Sequence, residues 1–250
     1  MVAENVKEHW KEYKRLSILI PAYNEERTIG TVLDKVIAVH LPEGMEREII
    51  VIDDCSTDGT AKQAKAFGQS HPDLKLVYGR HDVNRGKGAA VRTAISLSTG
   101  DFIIIQDADA EYDPEDYNAL FPFLLSGERV IYGSRFLRKG NNRLYFSFYW
   151  GNRLATLATN ILYFQKLTDM ETCYKMFDAA LLKSIPLQCE SFEFEPEVTA
   201  KLSRLGYRIK EAPICYTPRS VEGGKKIKWL DGVEAIWTLL RYRFWKPKQV

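Results

Sequence analysis

Two aspartates, Asp107 and Asp109, directly follow the apolar run 102–106 and are separated by one alanine. The run is short and almost free of polar side chains, so it predicts a buried strand of a mostly parallel sheet. Because side chains two apart point the same way in extended backbone, both carboxylates are expected to aim at one spot. Carboxylate oxygens suit Mg²⁺ or Mn²⁺, and substrate phosphates can complete the coordination shell. The spacing therefore predicts a divalent metal that holds a diphosphate.

Two other polar loops directly follow apolar runs, at 21–25 and 53–60, and a third polar loop, at 84–88, precedes the third predicted helix. Open α/β sheets bind their ligands at the carboxyl ends of the strands. In the third loop, Lys87 lies between two glycines at the start of a helical segment, and such turns bind anions. The four loops together predict one ligand site at one edge of a sheet.

The elements that would position these loops alternate between strand and helix over the first half of the chain. Strands are predicted at 16–20, 48–52, 74–78, 102–106 and 129–132, and helices at 25–39, 60–69, 86–98 and 114–125. In the second half, helices are predicted at 145–165, 194–205 and 229–244, and strands at 173–177 and 208–216. The alternation predicts an α/β fold, a mostly parallel sheet with flanking helices.

The 250 residues are compatible with one large α/β domain, and 45% of them are hydrophobic, enough for a sizeable core. We expect a polar leader at 1–15, a catalytic domain at 16–227 and a basic, aromatic, amphipathic helix at 228–250. The net charge of +2 argues against nucleic acid as a partner. Four cysteines without a CxxC pair indicate reduced thiols of a cytosolic protein. No signal peptide and no transmembrane helix are expected.

Longer motifs make a specific resemblance visible. In chain order they are IPAYNEE, VIDDCSTDGT, NRGKGAAVRTA, GDFIIIQDADAEYDP, YGSRF, TDMETCYKMF, FEFEPEVTAKL and YTPRSVEGGKKI. The chain resembles the inverting family 2 glycosyltransferases of the GT-A (Rossmann-like) fold. Within them it is most similar to the polyprenyl-phosphate glycosyltransferases typified by dolichol-phosphate mannose synthases. The matching motifs span most of residues 16–230, so the resemblance covers nearly the whole chain.

The resemblance implies a donor site for a nucleotide-sugar. Its expected residues are Pro21, Tyr23, Glu25 and Asp54 at the base and ribose, and Lys87, Asp107, Arg219 and Lys225 at the sugar and diphosphate. Asp107 and Asp109 match the family's DXD motif, and Glu111 resembles its third metal-side position. The implied cofactor is Mg²⁺ or Mn²⁺.

The resemblance also implies an acceptor site for a polyprenyl or dolichyl phosphate. Arg135, Arg143 and Ser147 match the acceptor-phosphate clamp, and arginine binds phosphate oxygens bidentately. Asp109, Arg135 and Asp169 are the expected catalytic residues, with Asp169 either a general base or an orienting group. The implied reaction inverts an α-linked donor to a β-linked lipid-phosphate sugar.

Several alternatives remain open at this stage. Mannose from GDP-mannose is the leading expectation for the donor, with glucose or N-acetylglucosamine from a UDP-sugar as the rival. A family 2 transferase that acts on a glycan or protein acceptor is a second alternative, and a non-catalytic sugar-nucleotide-binding regulator is a third. The intact DXD motif, Lys87 and both arginines argue against the regulator.

Aromatic and basic residues crowd two segments, 145–164 and 229–245. From residue 219 to the end, eight Lys or Arg outnumber three Asp or Glu, a local charge of +5. Such helices suit the interfacial region of a membrane, and they equally suit a helix packed on the domain. We therefore expect a cytoplasmic protein, peripheral at the cytoplasmic membrane face, with a membrane surface or a membrane-anchored protein as partner.

Overall fold

The structure, a computed structural model, describes residues 14–141, 146–219 and 229–246. Seven strands form one sheet in the order β3-β2-β1-β4-β6-β5-β7. The strands are β1 (Arg15–Ala22), β2 (Glu46–Asp53), β3 (Leu76–Arg80), β4 (Phe102–Ile105), β5 (Val130–Ser134), β6 (Lys175–Asp178) and β7 (Lys210–Pro213). Only β6 is antiparallel among the described strands, so the predicted mostly parallel α/β fold is confirmed.

The helices flank this sheet and connect its strands. They are α1 (Ile29–Ala38), α2 (Thr60–Ser70), α3 (Lys87–Leu97), α4 (Tyr117–Leu125), α5 (Phe146–Tyr163), α6 (Ala179–Ser184), α7 (Phe194–Arg204) and α8 (Trp229–Tyr242), with a 3₁₀ turn at Pro114–Asp116. In α1 the buried residues Ile29, Val32, Leu33 and Val36 recur at helical spacing, which explains why this segment is a helix.

The central strand β1 lies between β2 and β4 and is buried on both faces. Residues 16–20 are all buried, as an unbroken apolar run in a parallel sheet requires. A close approach at Gly100 fixes β4 beside it, because a Cβ on this glycine would lie 2.6 Å from Ser17 Oγ. The core therefore sits around β1 and β4, and the loops that follow them are held rigidly.

Helices α5, α7 and α8 pack against one another beyond the sheet. Almost all of α7 is buried, while α8 contributes Ala235, Leu239 and Tyr242 to the core. The Tyr163 hydroxyl at the end of α5 donates to the Leu239 carbonyl at 2.5 Å. The C-terminal helix thus packs on the domain through one of its faces.

The structure departs from the sequence predictions mainly at the ends of elements. The predicted helix at 25–39 begins only at Ile29, because residues 25–28 form a turn closed by bonds to the Glu25 carbonyl. Strand β3 lies two residues later than predicted, β7 is shorter, and the short helix α6 was not predicted.

The backbone at the DXD motif also differs from the expectation. Strand β4 ends at Ile105, and the following residues form a turn in which Ala110 has a φ of 61°. The extended-backbone argument for Asp107 and Asp109 was therefore wrong, because the segment turns instead of continuing as a strand. The turn is closed by the Asp109 carboxylate, which accepts a hydrogen bond from the Glu111 backbone N–H at 3.1 Å.

Within the described residues, none of the helices combines the length and the apolar character that crossing a bilayer requires. Of the predicted leader at 1–15, residues 1–13 lie outside the described residues and Arg15 already belongs to β1. The predicted domain boundaries stay predictions.

Candidate active site

The loops singled out in the sequence converge at the edge of the sheet where the parallel strands end. Those that follow β1, β2, β3 and β4 lie there, and so do the segments after β5 and β7. Because β6 is antiparallel, its starting end lies at the same edge and brings residues 169–174 with it. One edge of the sheet therefore collects every predicted site residue that the structure describes.

The loops after β1 and β2 are locked together by side-chain to backbone hydrogen bonds. The Asn24 N–H donates to Ser56 Oγ at 2.9 Å, and the Thr57 N–H donates back to Asn24 Oδ1 at 2.9 Å. The Glu25 N–H donates to Thr60 Oγ1 at 2.7 Å. These bonds hold the Glu25 carboxylate in place at the sheet edge. Pro21 lies opposite Ile52 one residue before the end of β1, and Tyr23 directly follows the strand.

Asp54 holds the glycine-rich turn that precedes α3. Its carboxylate accepts hydrogen bonds from the backbone N–H groups of Arg85 and Gly86, at 2.9 and 2.7 Å, and lies 2.7 Å from His81 Nδ1. Gly86 has a φ of 92°, a conformation that favours glycine. Both Asp54 oxygens are thus already used within the protein, and the expectation that it contacts base or ribose stays a prediction.

Lys87 lies in a chain of alternating charges. Its Nζ is 2.9 Å from Asp107 Oδ1 and 3.3 Å from Glu195 Oε1. On the far side, Lys175 Nζ is 2.5 Å from Glu195 Oε2, and the Lys175 side chain is fully buried. Burial opposes the charge on Lys87, but Asp107 and Glu195 outweigh it and raise the pKa of Lys87 well above its ordinary value. Lys87 therefore stays a cation beside Asp107.

Arg219 ties three carboxylates together from a segment that follows β7. Its Nη1 is 3.0 Å from Glu25 Oε2, and its Nη2 is 2.9 Å from Asp109 Oδ2. Its backbone N–H donates to Glu111 Oε1 at 2.9 Å. The predicted donor residues Glu25 and Arg219 and the predicted metal residues Asp109 and Glu111 are thereby brought into one cluster, which we call the Arg219 cluster.

The electrostatics of this cluster show an excess of negative charge. Burial, together with Asp107 and Glu111, raises the pKa of Asp109 to about 7 even though Arg219 acts to lower it. Desolvation also opposes ionisation of Asp107, but Lys87 outweighs it and lowers the pKa of Asp107.

The predicted metal ligands do not form a ready-made metal site. Among the described residues, no group of three or more His, Cys, Asp or Glu side chains is arranged to hold a metal ion. The predicted ligands are already in ion pairs: Lys87 pairs with Asp107, and Arg219 pairs with Asp109 and Glu111. A cation that entered here would have to replace Arg219 at these oxygens.

Arg135 forms a buried ion pair with Asp169 next to the Arg219 cluster. Its Nε donates to Asp169 Oδ2 at 2.7 Å and its Nη2 donates to Oδ1 at 2.8 Å, while Asn152 donates to Oδ1 at 2.8 Å. Burial opposes ionisation of Asp169, but Arg135 outweighs it and lowers the pKa of Asp169. Both Asp169 oxygens are therefore engaged in holding Arg135, a geometry that favours the orienting role over the base.

Tyr216 joins the two parts of the site. Its hydroxyl donates to Glu111 Oε2 at 2.6 Å, and its ring lies 5.1 Å from the Arg135 guanidinium carbon. The same aromatic ring thus contacts the carboxylate side and the arginine side. Sequence reasoning did not include this tyrosine.

Two more residues were missed or undervalued. Glu171 lies near Lys175, Glu195 and Arg135, and burial raises its pKa to about 7. Glu195, which appeared in the sequence only as part of the motif FEFEPEVTAKL, lies between Lys87 and Lys175 and joins these two lysines. The repeated charges in TDMETCYK and FEFEPE were the available signal, because charged residues are rarely buried without a partner.

Three predicted residues cannot be placed. Arg143 and Lys225 lie outside the described residues, and Ser147 lies in the first turn of α5 with its side chain outside the described part. Their roles in the acceptor clamp and the donor site stay predictions.

A family model described as glycosyl transferase family 2 matches residues 17–185. A dolichyl-phosphate beta-glucosyltransferase of Dictyostelium discoideum is 26% identical over 264 aligned residues, which cover 93% of this chain and 77% of the relative. Glycosyltransferase AglJ of Haloferax volcanii is 29% identical over 209 residues, which cover 81% of this chain and 63% of that protein.

Solved structures share the fold. Glucosyl-3-phosphoglycerate synthase from Mycobacterium tuberculosis, in complex with UDP, has a TM-score of 0.73 at 21% identity, covering 96% of this chain and 84% of that chain. Mannosyl-3-phosphoglycerate synthase from Rubrobacter xylanophilus has a TM-score of 0.69 at 20% identity, covering 97% of this chain and 76% of that chain. At these identities the likeness concerns the fold.

Proposed function

Because this chain belongs to glycosyl transferase family 2, we propose that it transfers a hexose from a nucleoside-diphosphate sugar to a polyprenyl or dolichyl phosphate. The product would be a β-linked lipid-phosphate sugar. The relative that is named a dolichyl-phosphate beta-glucosyltransferase supports this acceptor class.

The observation that carries the proposal is the position of Arg135 beside the Arg219 cluster. Asp169 holds the guanidinium through Nε and Nη2 and leaves Nη1 outside that pairing. Tyr216 separates this arginine from Glu111 by the width of one aromatic ring. An acceptor phosphate bound at Arg135 would thus lie next to a donor held at the carboxylate edge.

The reaction needs little acid–base chemistry from the protein. An acceptor phosphate monoester has a second pKa near about 6, so it is largely dianionic at neutral pH. One of its oxygens forms the new bond to the anomeric carbon while the bond from that carbon to the diphosphate oxygen breaks. The electron pair leaves with the nucleoside diphosphate, and no proton is transferred. Arg135 orients the attacking phosphate, and Lys87 lies where it would stabilise the leaving charge.

The side chains at the predicted metal site are of the chemical type that binds divalent cations. Asp107, Asp109 and Glu111 offer carboxylate oxygens, the ligands that Mg²⁺ and Mn²⁺ prefer. Burial raises the pKa of Asp109, and the neighbouring Asp107 and Glu111 raise it further, so a bound cation would favour its ionised form. The solved structure of glucosyl-3-phosphoglycerate synthase with Mn²⁺ and UDP supports the same cofactor class. When bound, such a cation would neutralise charge on the leaving diphosphate.

The donor sugar is assigned only as a hexose. Mannose from GDP-mannose is the expectation from sequence, while the name of the Dictyostelium relative favours glucose. The acceptor also has a rival, because the names of the two synthases described above contain phosphoglycerate.

A cytoplasmic location at the cytoplasmic membrane face is part of the proposal, since a lipid phosphate must be reached from the side that supplies nucleotide-sugars.

The test combines donors and acceptors in one assay. Purified protein with Mn²⁺ is incubated with labelled GDP-mannose, UDP-glucose or UDP-N-acetylglucosamine and with either a short polyprenyl phosphate or 3-phosphoglycerate. We expect label in the organic phase with one donor and the lipid acceptor. Transfer to phosphoglycerate alone, or to neither acceptor with any donor, would overturn the proposal.

Two variants separate the halves of the site. Asp109→Asn should lower kcat by about 10²-fold or more, because it removes a carboxylate charge from the side of the site that would hold the donor diphosphate. Arg135→Lys should mainly raise the KM for the lipid phosphate, since lysine lacks the planar fork. Lys35→Ala is the control, because its ion pair with Asp113 lies on exposed surface and should leave both constants unchanged.

A further inference from the structure

Two neighbouring helices carry rows of exposed apolar side chains. On α5, Trp150, Leu154, Leu157 and Ile161 are between 54% and 64% exposed. On α8 and just after it, Val233, Trp237, Leu240 and Phe244 are between 46% and 83% exposed. We call these eight residues the outer stripe. Monomeric proteins rarely expose contiguous apolar patches of this kind without a partner.

The outer stripe lies opposite the buried faces of both helices. Its members recur at intervals of four, three and four residues, so on each helix they share one face. The buried residues Ala155 and Thr159 of α5, and Ala235 and Leu239 of α8, lie half a turn away from them. Each helix therefore packs on the domain with one face and presents a second apolar face outward.

The two rows face the same side of the molecule. Helices α5 and α8 pack on each other and on α7, and α7 is almost wholly buried beneath them. Their outward faces are therefore neighbouring parts of one surface. Each row runs over twelve residues, and the eleven steps between its ends correspond to about 16 Å at 1.5 Å per step.

The charges around the stripe identify its partner. Arg153 on α5 and Arg241 on α8 are exposed, and so are Lys166 and Lys246 beyond the helix ends. Among the described side chains of α5 and α8, Glu234 is the exposed acidic residue. Tryptophan and phenylalanine beside basic residues are typical of helices that lie in the interface of a bilayer containing anionic lipids.

Helix α5 also connects the outer stripe to the acceptor side of the active site. Asn152, on the inner face of α5, donates to the Asp169 carboxylate that holds Arg135. Helix α5 thus has the stripe on one face and a contact to the arginine pair on the other.

We propose that the outer stripe is a membrane-docking surface, on which α5 and α8 lie in the plane of an anionic bilayer interface. This proposal rests on the proposed function, because docking on the bilayer would bring the active site to a lipid-phosphate acceptor. A second copy of this chain is the rival occupant, and the experiment below decides between them.

The direct test measures binding to vesicles without donor or acceptor. Wild-type protein should sediment with vesicles of phosphatidylcholine and phosphatidylglycerol and bind more weakly to phosphatidylcholine alone. The double variant Leu157→Glu/Trp237→Glu should lose at least about tenfold in partitioning, because both apolar rows then carry a charge. Leu97→Glu on α3, an exposed leucine at 42%, is the matched control and should bind like wild type.

Three outcomes would overturn the proposal. They are no vesicle binding by wild type, equal binding by the double variant, or a stable dimer in light scattering that the double variant separates. That dimer would mark the stripe as an interface between two copies. Circular dichroism checks that the double variant is folded, and single Leu157→Glu and Trp237→Glu variants replace it if it is not.

Enzyme assays keep this proposal separate from the proposed function. With a short, water-soluble polyprenyl phosphate, the double variant should turn over like wild type. With the acceptor embedded in vesicles, it should lose most of its transfer activity. If neither the wild type nor the double variant uses an acceptor, the proposed function fails. The vesicle-binding experiment alone then decides whether the outer stripe is a membrane-docking surface.

Discussion

Asp169 is the residue whose role the geometry constrains most. Its two carboxylate oxygens bind Arg135, and the Arg135 side chain is itself only 10% exposed. A buried ion pair of this kind fixes one conformation, and removing either partner leaves a charge without compensation. The arrangement explains why a carboxylate stands in this motif without requiring that it accept a proton.

We predict that Asp169→Asn lowers the free energy of unfolding by about 3 kcal/mol, because it leaves Arg135 buried and unpaired. The double variant Arg135→Met/Asp169→Leu should regain most of that stability while it loses transfer activity. Urea unfolding of both variants checks the first part, and an activity assay checks the second. Wild-type stability in Asp169→Asn would contradict the buried-pair interpretation.

Glu48 gives the protein a pH-dependent contribution to stability. Its side chain is buried in β2 and binds Ser17 Oγ at 2.6 Å, the Thr99 N–H at 2.7 Å and Lys75 Nζ at 2.6 Å. Burial opposes ionisation, but these partners outweigh it and lower the pKa of Glu48 from 4.5 to about 2. Because the folded pKa is the lower one, the stabilisation is present above pH 4.5 and is lost as the pH falls towards 2.

A pKa lowered from 4.5 to about 2 corresponds to roughly 3 kcal/mol of unfolding free energy at neutral pH. We predict that Glu48→Gln makes the fall in unfolding free energy between about pH 5 and pH 3 smaller than in wild type, measured by urea unfolding. Glu46→Gln, an exposed neighbour on the same strand, is the control and should keep the wild-type profile. An unchanged profile in Glu48→Gln would show that other carboxyls carry the acid sensitivity.

At the scale of elements, the glycine-rich turn before α3 depends on its contact with residues 189–191. A Cβ on Gly88 would lie 2.7 Å from the Cys189 carbonyl oxygen and 2.8 Å from the Ser191 carbonyl oxygen. These are backbone atoms that cannot rotate away, so the two segments would have to separate. Lys87 would move with the turn.

We predict that Gly88→Ala lowers the free energy of unfolding by about 1–3 kcal/mol and weakens binding of a nucleoside diphosphate. Gly232→Ala in α8 is the matched control, because a Cβ there meets nothing within 4 Å. It should stabilise the protein by about 0.5–1 kcal/mol, as alanine does inside a helix. Thermal unfolding measures the change in stability, and a fluorescence titration measures binding of the nucleoside diphosphate. Unchanged nucleotide binding in Gly88→Ala would contradict the argument.

The elements themselves were largely predictable from sequence. Parallel strands such as β1 and β4 are buried on both faces, so they appear as unbroken apolar runs. The direction of β6 was not predictable, because the four residues KMFD carry no signal that distinguishes parallel from antiparallel pairing. The turn at Asp107–Ala110 was missed for a related reason, since the apolar pattern does not report where a strand ends.

At the scale of the whole molecule, the convergence of the loops was predictable and the pairing of charges was not. The edge rule for α/β sheets places Glu25 and Asp109 together because both follow parallel strands. The contact between Arg219 and Asp109 joins residues 110 positions apart, and its partners depend on how the segment after β7 folds back. The same holds for Glu195, whose lysine partners come from α3 and β6.

We predict that Arg219→Ala binds Mn²⁺ about tenfold more tightly than wild type in the absence of donor, because the guanidinium no longer competes for Asp109 and Glu111. With a nucleotide-sugar present, the variant should bind the donor more weakly, since it lacks a cation for the diphosphate. Electron paramagnetic resonance of free Mn²⁺ and isothermal titration of the donor measure the two effects.

Arg129→Ala is the control for this experiment, because Arg129 precedes β5 at the edge of the sheet opposite the Arg219 cluster and contacts Asp178 and Tyr207 there. It should leave both affinities unchanged. Weaker Mn²⁺ binding in Arg219→Ala would mean that the arginine supports the cation site instead of competing for it.

The antiparallel strand β6 has a consequence for how the chain is made. Strands β1 to β4 pair only with one another until β6 joins β4, so this half of the sheet can assemble as soon as residue 105 has left the ribosome. Strand β5 pairs with β6 and β7 among the described strands, and it must wait for residues 175–178 to be synthesised. During that interval the apolar strand VIYGS is without its partners, so a nascent chain stalled between these points would be the form most in need of a chaperone.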